Sequence, residues 1–430
     1  MSHIKVNKLS GLHGSISVPG DKSISHRAIM ISSLAKGKSS VSNFLNGLDC
    51  RATADAFVKM GIPISFQSDG TMIIEGNGLH GLNKPESDLY LGNSGTTMRL
   101  LMGILAGQNF STILSGDESL SVRPMKRVAK PLRSMGALIE GADDANLAPL
   151  TINGSKLNAI TYNSPVASAQ VKSAIMFAGL FADGVTRVTE PHKSRDHTER
   201  MLKLYGADLD VDGLSISVKG MVDSKLHPQP IIIPGDISSA AFLIALGVLT
   251  ENSELIIRSC GINPTRIGIL NVLGRMGADV ELLNQKEDFE PQADILVKSS
   301  SLRSTKITRN EIPLLIDEIP IISLCATQAK GTTTIEGVGE LRVKETDRIN
   351  SIMTNLKAFG ADLRCEGDDL FINGPSKLEG APCDSFGDHR TAMMSVVAGA
   401  IASGETIVND TDCISISFPG FIELLYKIKN

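Results

Sequence analysis

The chain has 430 residues, 42% of them hydrophobic and 21% charged, with a formal net charge of −5. That length exceeds what a single compact core usually serves and predicts two domains. Mild acidity argues against nucleic acid or a membrane surface as the main partner, yet a local cluster of Arg and Lys would still accept small anions.

Met1 to Gly20 contains no uninterrupted apolar run, so no secretory signal is expected. The longest apolar stretches elsewhere are about a dozen residues, short of the roughly 20 that cross a bilayer. Six cysteines (Cys50, Cys260, Cys325, Cys365, Cys383, Cys413) form no CxxC pair and no spacing with histidine that suggests zinc. They read as reduced thiols, and the cytoplasm is the expected compartment.

In chain order, the first strong element is GDKSISHRAIMISSLA from Gly20, a Gly, Asp and Ser start followed by a run apolar on all sides. The same design returns in GNSGTTMRLLMGILAG from Gly92, ASAQVKSAIMFAGLFA from Ala167 and GDISSAAFLIALGVL from Gly235. It closes the series in DEIPIISLCATQA from Asp317 and GDHRTAMMSVVAGAIA from Gly387. A helix apolar all round is a buried helix.

A second helical pattern keeps the same rhythm and ends in an apolar residue, Gly, then Ala or Ile. These triplets are Met60-Gly61-Ile62, Met135-Gly136-Ala137, Tyr205-Gly206-Ala207, Met276-Gly277-Ala278 and Phe359-Gly360-Ala361. Glycine suits the left-handed position just past a helix end. A sixth copy falls in the helical run Phe418 to Ile428. Short β-rich stretches lie between, such as Thr71–Ile74 and Leu214–Val218, each entered by an Asp-Gly turn.

Each unit therefore reads strand, buried helix, strand, second helix, hairpin. Six units predict an α/β (α+β) chain of two similar domains, each of three βαβαββ repeats with buried helices packed inside sheets. The expected boundaries put residues 20–234 in the first domain and residues 1–19 with 235–430 in the second, the active site lying in the cleft between them. Buried helices that start in Gly, Ser, Asn or Asp present backbone N–H groups carrying partial positive charge, which suits phosphates and carboxylates.

Cations gather at the same places: Lys22 and Arg27 in the first helix start, Arg123 in SVRPM, Arg195 in SRDHTE, Lys344 and Arg348 in ELRVKETDR, and Arg390 in GDHR. Arginine recognises carboxylate and phosphate through two parallel hydrogen bonds, and lysine acts as a point charge. Against them stand Asp317 and Glu318 at the head of DEIPIISL, where helix capping is the plain expectation. Glu345 sits in a charge-dense run, where a salt-bridge network competes with an acid–base role.

The motifs GDKSISHR, GNSGTTMR, SVRPM, SAQVK, DEIP, RVKETDR and GDHR, in this order and spacing, resemble those of 5-enolpyruvylshikimate-3-phosphate synthases across the whole chain. GDKS, SAQVK, RDHTE at Arg195 and NPTR at Asn263 are similar to the second of that family's two sequence classes. The resemblance implies transfer of the carboxyvinyl group of phosphoenolpyruvate to the 5-hydroxyl of shikimate 3-phosphate, with no organic cofactor and no metal. It implies Lys22, Ser23, Arg27, Ser168, Ala169, Gln170, Arg195, Asp317 and Lys344 for shikimate 3-phosphate, and Lys22, Gly95, Arg123, Gln170, Arg348 and Arg390 for phosphoenolpyruvate. Asp317 and Glu345, with Lys22, carry the proton transfers in that reading, and the chain acts as a monomer.

The chain departs from the first class in three places: Ile416 in SISFP stands where that class has Lys, SRDHTE replaces its Ser and Tyr, and Glu340 replaces an Asn. Two other readings compete. The sister transferase that acts on UDP-N-acetylglucosamine carries a reactive Cys, or Asp in its place, on a loop matching residues 107–124, where this chain has no Cys but does have Asp117. A catalytically silent binding protein would be expected to lose Asp317, Glu345 or several cations, and all are present.

Overall fold

The computed structural model describes residues 2–221 and 225–428. It divides into two compact units, Gly20–Ile233 and Met1–Pro19 with Pro234–Asn430.

In the unit Gly20–Ile233 three four-stranded sheets share one plan. A leading strand pairs parallel with the strand that follows the buried helix, and a hairpin adds two antiparallel strands. In the second repeat these are Leu89–Tyr90, Ser111–Ser115, Leu147–Asn153 and Leu138–Gly141. Parallel neighbours need a crossover, and the buried helix Gly95–Ala106 is that crossover. Side chains alternate across each strand, so Ala148, Leu150 and Ile152 turn inward while Pro149 is exposed.

The other unit repeats the plan with two four-stranded sheets and one of three strands. Consecutive counting along the sequence does not supply every strand. The first repeat takes its leading strand from Pro230–Ile232, which pairs parallel with Lys36–Ser42. His13–Ser17, just before Gly20, pairs instead with Glu254–Gly261 of the other unit's first sheet. Among the described residues the last repeat has no hairpin of its own, and His3–Asn7 fills that place antiparallel to Glu405–Asn409. A strand edge is satisfied by any complementary backbone, however distant in sequence, so register rather than adjacency decides its partner.

The six apolar segments are helices buried nearly throughout: Lys22–Leu34, Gly95–Ala106, Ala169–Gly179, Ile237–Leu249, Ile319–Thr327 and His389–Ile401. Where two of them cross, backbones touch: a Cβ on Gly103 would lie 2.1 Å from the Ala174 carbonyl oxygen. The five triplet glycines all adopt positive φ, between 85° and 99°. Past each, the next amide reaches back to the helix, as in Ile62 N to Phe57 O at 3.0 Å and Ala361 N to Leu356 O at 3.0 Å. This is the Schellman arrangement, and it explains why an apolar residue follows the glycine: Ile62, Ala137, Ala207 and Ala361 are buried there.

Five of these helix starts are capped by a side chain, from Asp21, Ser94, Ser168, Asp236 and Asp388. The helix Ile319–Thr327 differs. Glu318 occupies the N-cap position without a side-chain cap bond and accepts instead from Ser238 Oγ. Asp317 turns its carboxylate to Arg348 and Arg390. The capping expected of this acidic pair gives way because nearby guanidinium and hydroxyl donors outcompete backbone amides for the carboxylates. Among the described residues no helix is long and apolar enough to cross a membrane.

Candidate functional site

In the unit Gly20–Ile233 the first turns of three buried helices meet through hydrogen bonds. Lys22 opens its helix behind the Asp21 cap, with Nζ 3.2 Å from Asp49 Oδ2. Arg27, one turn on, is buried and donates to the Ser23 carbonyl at 2.9 Å, Thr198 Oγ1 at 2.6 Å and Ser173 Oγ at 2.9 Å. It thereby ties its helix to Ala169–Gly179 and to the helix His197–Leu204. Arg195, in the loop before that last helix, reaches Ser23 Oγ at 3.5 Å.

Ser168 caps the helix that begins with Ala169 and Gln170. Gln170 donates from Nε2 to Thr96 Oγ1 at 3.0 Å and accepts from Arg99 Nη1 at 2.8 Å. Gly95 sits at the start of the middle helix, where a Cβ would come 3.0 Å from Arg123 Cζ and 3.1 Å from Arg99 Nη1. Its φ is not positive, so what a side chain there would meet is two guanidinium groups, which would have to give by a few tenths of an ångström, and not backbone strain. Arg123 Nη1 also reaches the Asn93 carbonyl at 3.5 Å.

The other unit collects Asp317, Lys344, Glu345, Arg348 and Arg390. Arg348 opens the helix Arg348–Ala358, capped by Asp347, and is only 1% exposed. Each of its nitrogens meets a different carboxylate: Nε to Asp388 Oδ2 at 2.7 Å, Nη1 to Asp317 Oδ1 at 3.0 Å and Nη2 to Glu345 Oε2 at 2.6 Å. Asp388 is wholly buried and uses Oδ1 to accept from the Arg390 and Thr391 amides. Arg390 donates to the Asp317 carbonyl at 3.2 Å and places Nη2 3.6 Å from Asp317 Oδ2. Burial opposes charge on Arg348, but Asp388, then Glu345 and Asp317, outweigh it and raise its pKa above the usual arginine value.

Lys344 behaves differently. Removal from water is the largest influence on its ammonium, and the nearby Arg348 pushes the same way; Asp317, Glu345 and Glu340 offset this only in part, leaving its pKa lowered to about 8. This cation feels the charges of Asp317, Glu345 and Glu340, an arrangement suited to anion binding and proton transfer.

Hydrogen bonds thus join Ser23, Arg27 and Arg195 in the unit Gly20–Ile233, and hydrogen bonds and ion pairs join Asp317, Glu345, Arg348 and Arg390 in the other. The motif assignments passed over three further groups. Arg99 and Asp388 lie inside GNSGTTMR and GDHR, so their signal was the motif itself, whereas Asp49 stands in no marked pattern. Among the described residues, no group of three or more His, Cys, Asp or Glu is placed to hold a metal ion.

These repeats define an enolpyruvyl transferase fold: the chain matches the enolpyruvyl transferase NikO from Streptomyces tendae with a TM-score of 0.79, covering 99% of this chain and 96% of that one. At 17% identity that likeness concerns the fold alone. EPSP synthase from Acinetobacter baumannii is similar at 43% identity and a TM-score of 0.89, over 99% of this chain and 98% of that one. Relatives named 3-phosphoshikimate 1-carboxyvinyltransferase are 52% identical in Geobacillus kaustophilus (strain HTA426), over 96% of this chain and 97% of the relative, and 52% identical in Geobacter sulfurreducens, over 97% of both. The family described as EPSP synthase (3-phosphoshikimate 1-carboxyvinyltransferase) matches residues 6–425, and the chain belongs to it.

Proposed function

We propose that this chain transfers the carboxyvinyl group of phosphoenolpyruvate to the 5-hydroxyl of shikimate 3-phosphate and releases phosphate, acting as a cytoplasmic monomer without cofactor or metal. The observation that carries the reading is the Arg348 hub, which sets Asp317 and Glu345 on one guanidinium beside Lys344 and Arg390. Glu345, with Lys22, gives a proton to the methylene carbon of the donor, leaving a cation-like carbon. The acceptor's 5-oxygen attacks that carbon as Asp317 takes its proton, forming a tetrahedral intermediate. Return of a methyl proton to the enzyme then expels phosphate. Fixed positive charge around the anionic groups lowers the barrier throughout.

In this reading Lys22, Ser23, Arg27, Ser168, Ala169, Gln170, Arg195, Asp317 and Lys344 hold shikimate 3-phosphate, and Lys22, Gly95, Arg123, Gln170, Arg348 and Arg390 hold phosphoenolpyruvate. Arg27 also braces Ser23 through its bonds to the Ser23 carbonyl, Ser173 and Thr198. Phosphate should appear only when both substrates are present. Release with UDP-N-acetylglucosamine in place of shikimate 3-phosphate would assign the chain to the sister reaction, and no release with either would make it a silent binding protein.

Lys344 gives the acceptor site a pH dependence. Its folded pKa of about 8 lies below the ordinary 10.5, so between those values the folded protein has shed a proton that the unfolded chain keeps. This group therefore adds stability as pH rises through that window, and the contribution is lost as pH falls through 8. Ligand binding runs the opposite way. Affinity of the free enzyme for shikimate 3-phosphate should fall by up to about tenfold per pH unit above 8, as the ammonium empties. Titration calorimetry from pH 7 to 9.5 reads this, and Lys344→Arg, which stays charged, should flatten the decline.

A further inference from the structure

A buried ionic cluster lies behind the acceptor-binding segments of the unit Gly20–Ile233, and none of the proposed chemical steps uses it. Lys172 Nζ stands 2.8 Å from Glu190 Oε2 and 2.6 Å from Glu199 Oε1, with side-chain exposures of 1%, 2% and 6%. One ammonium faces two carboxylates. Burial lowers the lysine pKa, but Glu199 and then Glu190 outweigh it and raise the net value. Burial raises the Glu199 carboxyl more than Lys172 lowers it. Buried ionic groups of this kind add little stability over apolar packing, because desolvation consumes the Coulombic gain. Their value lies in what they hold in place.

Glu190 is the junction. Besides Lys172, its carboxylate accepts from the Ser168 amide at 3.2 Å, from Ser194 Oγ at 2.6 Å and from the Ser194 amide at 3.4 Å. Ser168 caps the helix that presents Ala169 and Gln170, and Ser194 directly precedes Arg195. Lys172 reinforces the same loop through the Ser194 carbonyl at 3.5 Å. A single side chain thus fastens two segments more than 20 residues apart, both carrying residues assigned to the acceptor.

We infer that Glu190, gripped by Lys172, is a positioning residue for shikimate 3-phosphate: it sets the Ser168–Gln170 helix start and the Arg195 loop in register before the ligand arrives. The inference rests on the acceptor assignment proposed above. The chemistry explains why a carboxylate is required. Both oxygens accept, and every neighbour donates, whereas a glutamine would turn its NH2 toward either Lys172 or the Ser168 and Ser194 donors.

Glu190→Gln should raise the KM for shikimate 3-phosphate by about 10- to 100-fold, the range for a lost hydrogen bond to a charged group. With acceptor saturating, kcat should fall less than about threefold and the KM for phosphoenolpyruvate should rise much less than that for the acceptor, since Gln170 is the one donor-side residue on the two fastened segments. Arg195→Ala alone should also raise the acceptor KM. The double variant Glu190→Gln/Arg195→Ala should fall well short of the product of the two effects, because both act through one loop. If Arg195→Ala leaves the acceptor KM unchanged, the acceptor assignment itself fails. If Arg195→Ala raises it but folded Glu190→Gln does not, or if Glu190→Gln shifts both KM values and kcat alike, the positioning role is overturned. Should Glu190→Gln fail to fold, Ser194→Ala removes only the hydroxyl contact. It should raise the acceptor KM several-fold, the cost of one hydrogen bond, and an unchanged value would overturn the inference equally.

Discussion

Arg348→Lys should lower kcat by about 100-fold or more, although it preserves charge, because a planar fork is replaced by a point donor. The guanidinium meets three carboxylates in three directions, from Asp388, Asp317 and Glu345. One ammonium cannot face all three. Asp388 is wholly buried and cannot recover water in exchange, so an unmatched charge there costs about 3–5 kcal/mol. The lysine is therefore expected to follow Asp388 and release the other two, which carry the proposed proton transfers. Steady-state kinetics should show the fall in kcat together with a raised KM for phosphoenolpyruvate, and thermal denaturation should show a lower Tm. Shikimate 3-phosphate should still bind within about tenfold: Lys344 shares this cluster, but Ser23, Ser168, Gln170 and Arg195 are held by other partners. A collapse of acceptor affinity with donor affinity intact would reverse the assignment of the two sets of residues.

Asp317→Asn should lower kcat by about 100-fold or more through loss of the general base, with little change in the acceptor's dissociation constant. The substitution is nearly isosteric. An asparagine oxygen can still accept from Arg348 Nη1, now 3.0 Å away, and the backbone carbonyl that accepts from Arg390 is untouched. What disappears is the capacity to take a proton. Rapid-quench measurement with both substrates should show slow formation of the tetrahedral intermediate. Near-normal turnover would remove Asp317 from that role and turn attention to Glu345, which shares the same guanidinium.

Some of this site was legible because its residues are close in sequence. Glu345 and Arg348 are three apart, within reach of each other along one short loop that leads into a helix, and their contact is 2.6 Å. The cap at Asp388 and the cations of GDHR and RVKETDR belong to short motifs whose geometry is local. Asp317 was legible as chemically unusual but not in its surroundings, since capping and acid–base roles predict the same residue at the same place. The contact from Arg348 to Asp388 spans 40 residues, that from Arg27 to Ser173 spans 146 and that from Arg27 to Thr198 spans 171. No periodicity reports such pairings, because hydrophobic pattern tells which face is buried and not what it is buried against.

The sequence by itself determined the repeat, the six buried helices and the five left-handed glycine stops, because each depends on the backbone preferences and polarity of residues within a few turns of one another. It also marked the cations and acids that cluster at helix starts. Only the tertiary structure decided which strand closes each sheet, with Pro230–Ile232 and His3–Asn7 each pairing with a strand far along the chain. Only the tertiary structure decided what each charge does: Arg27 and Arg348, alike as sequence signals, become a brace for three helices and a hub for three carboxylates. Desolvation compels that division, for a buried guanidinium must be matched by whichever acceptors the fold carries to it.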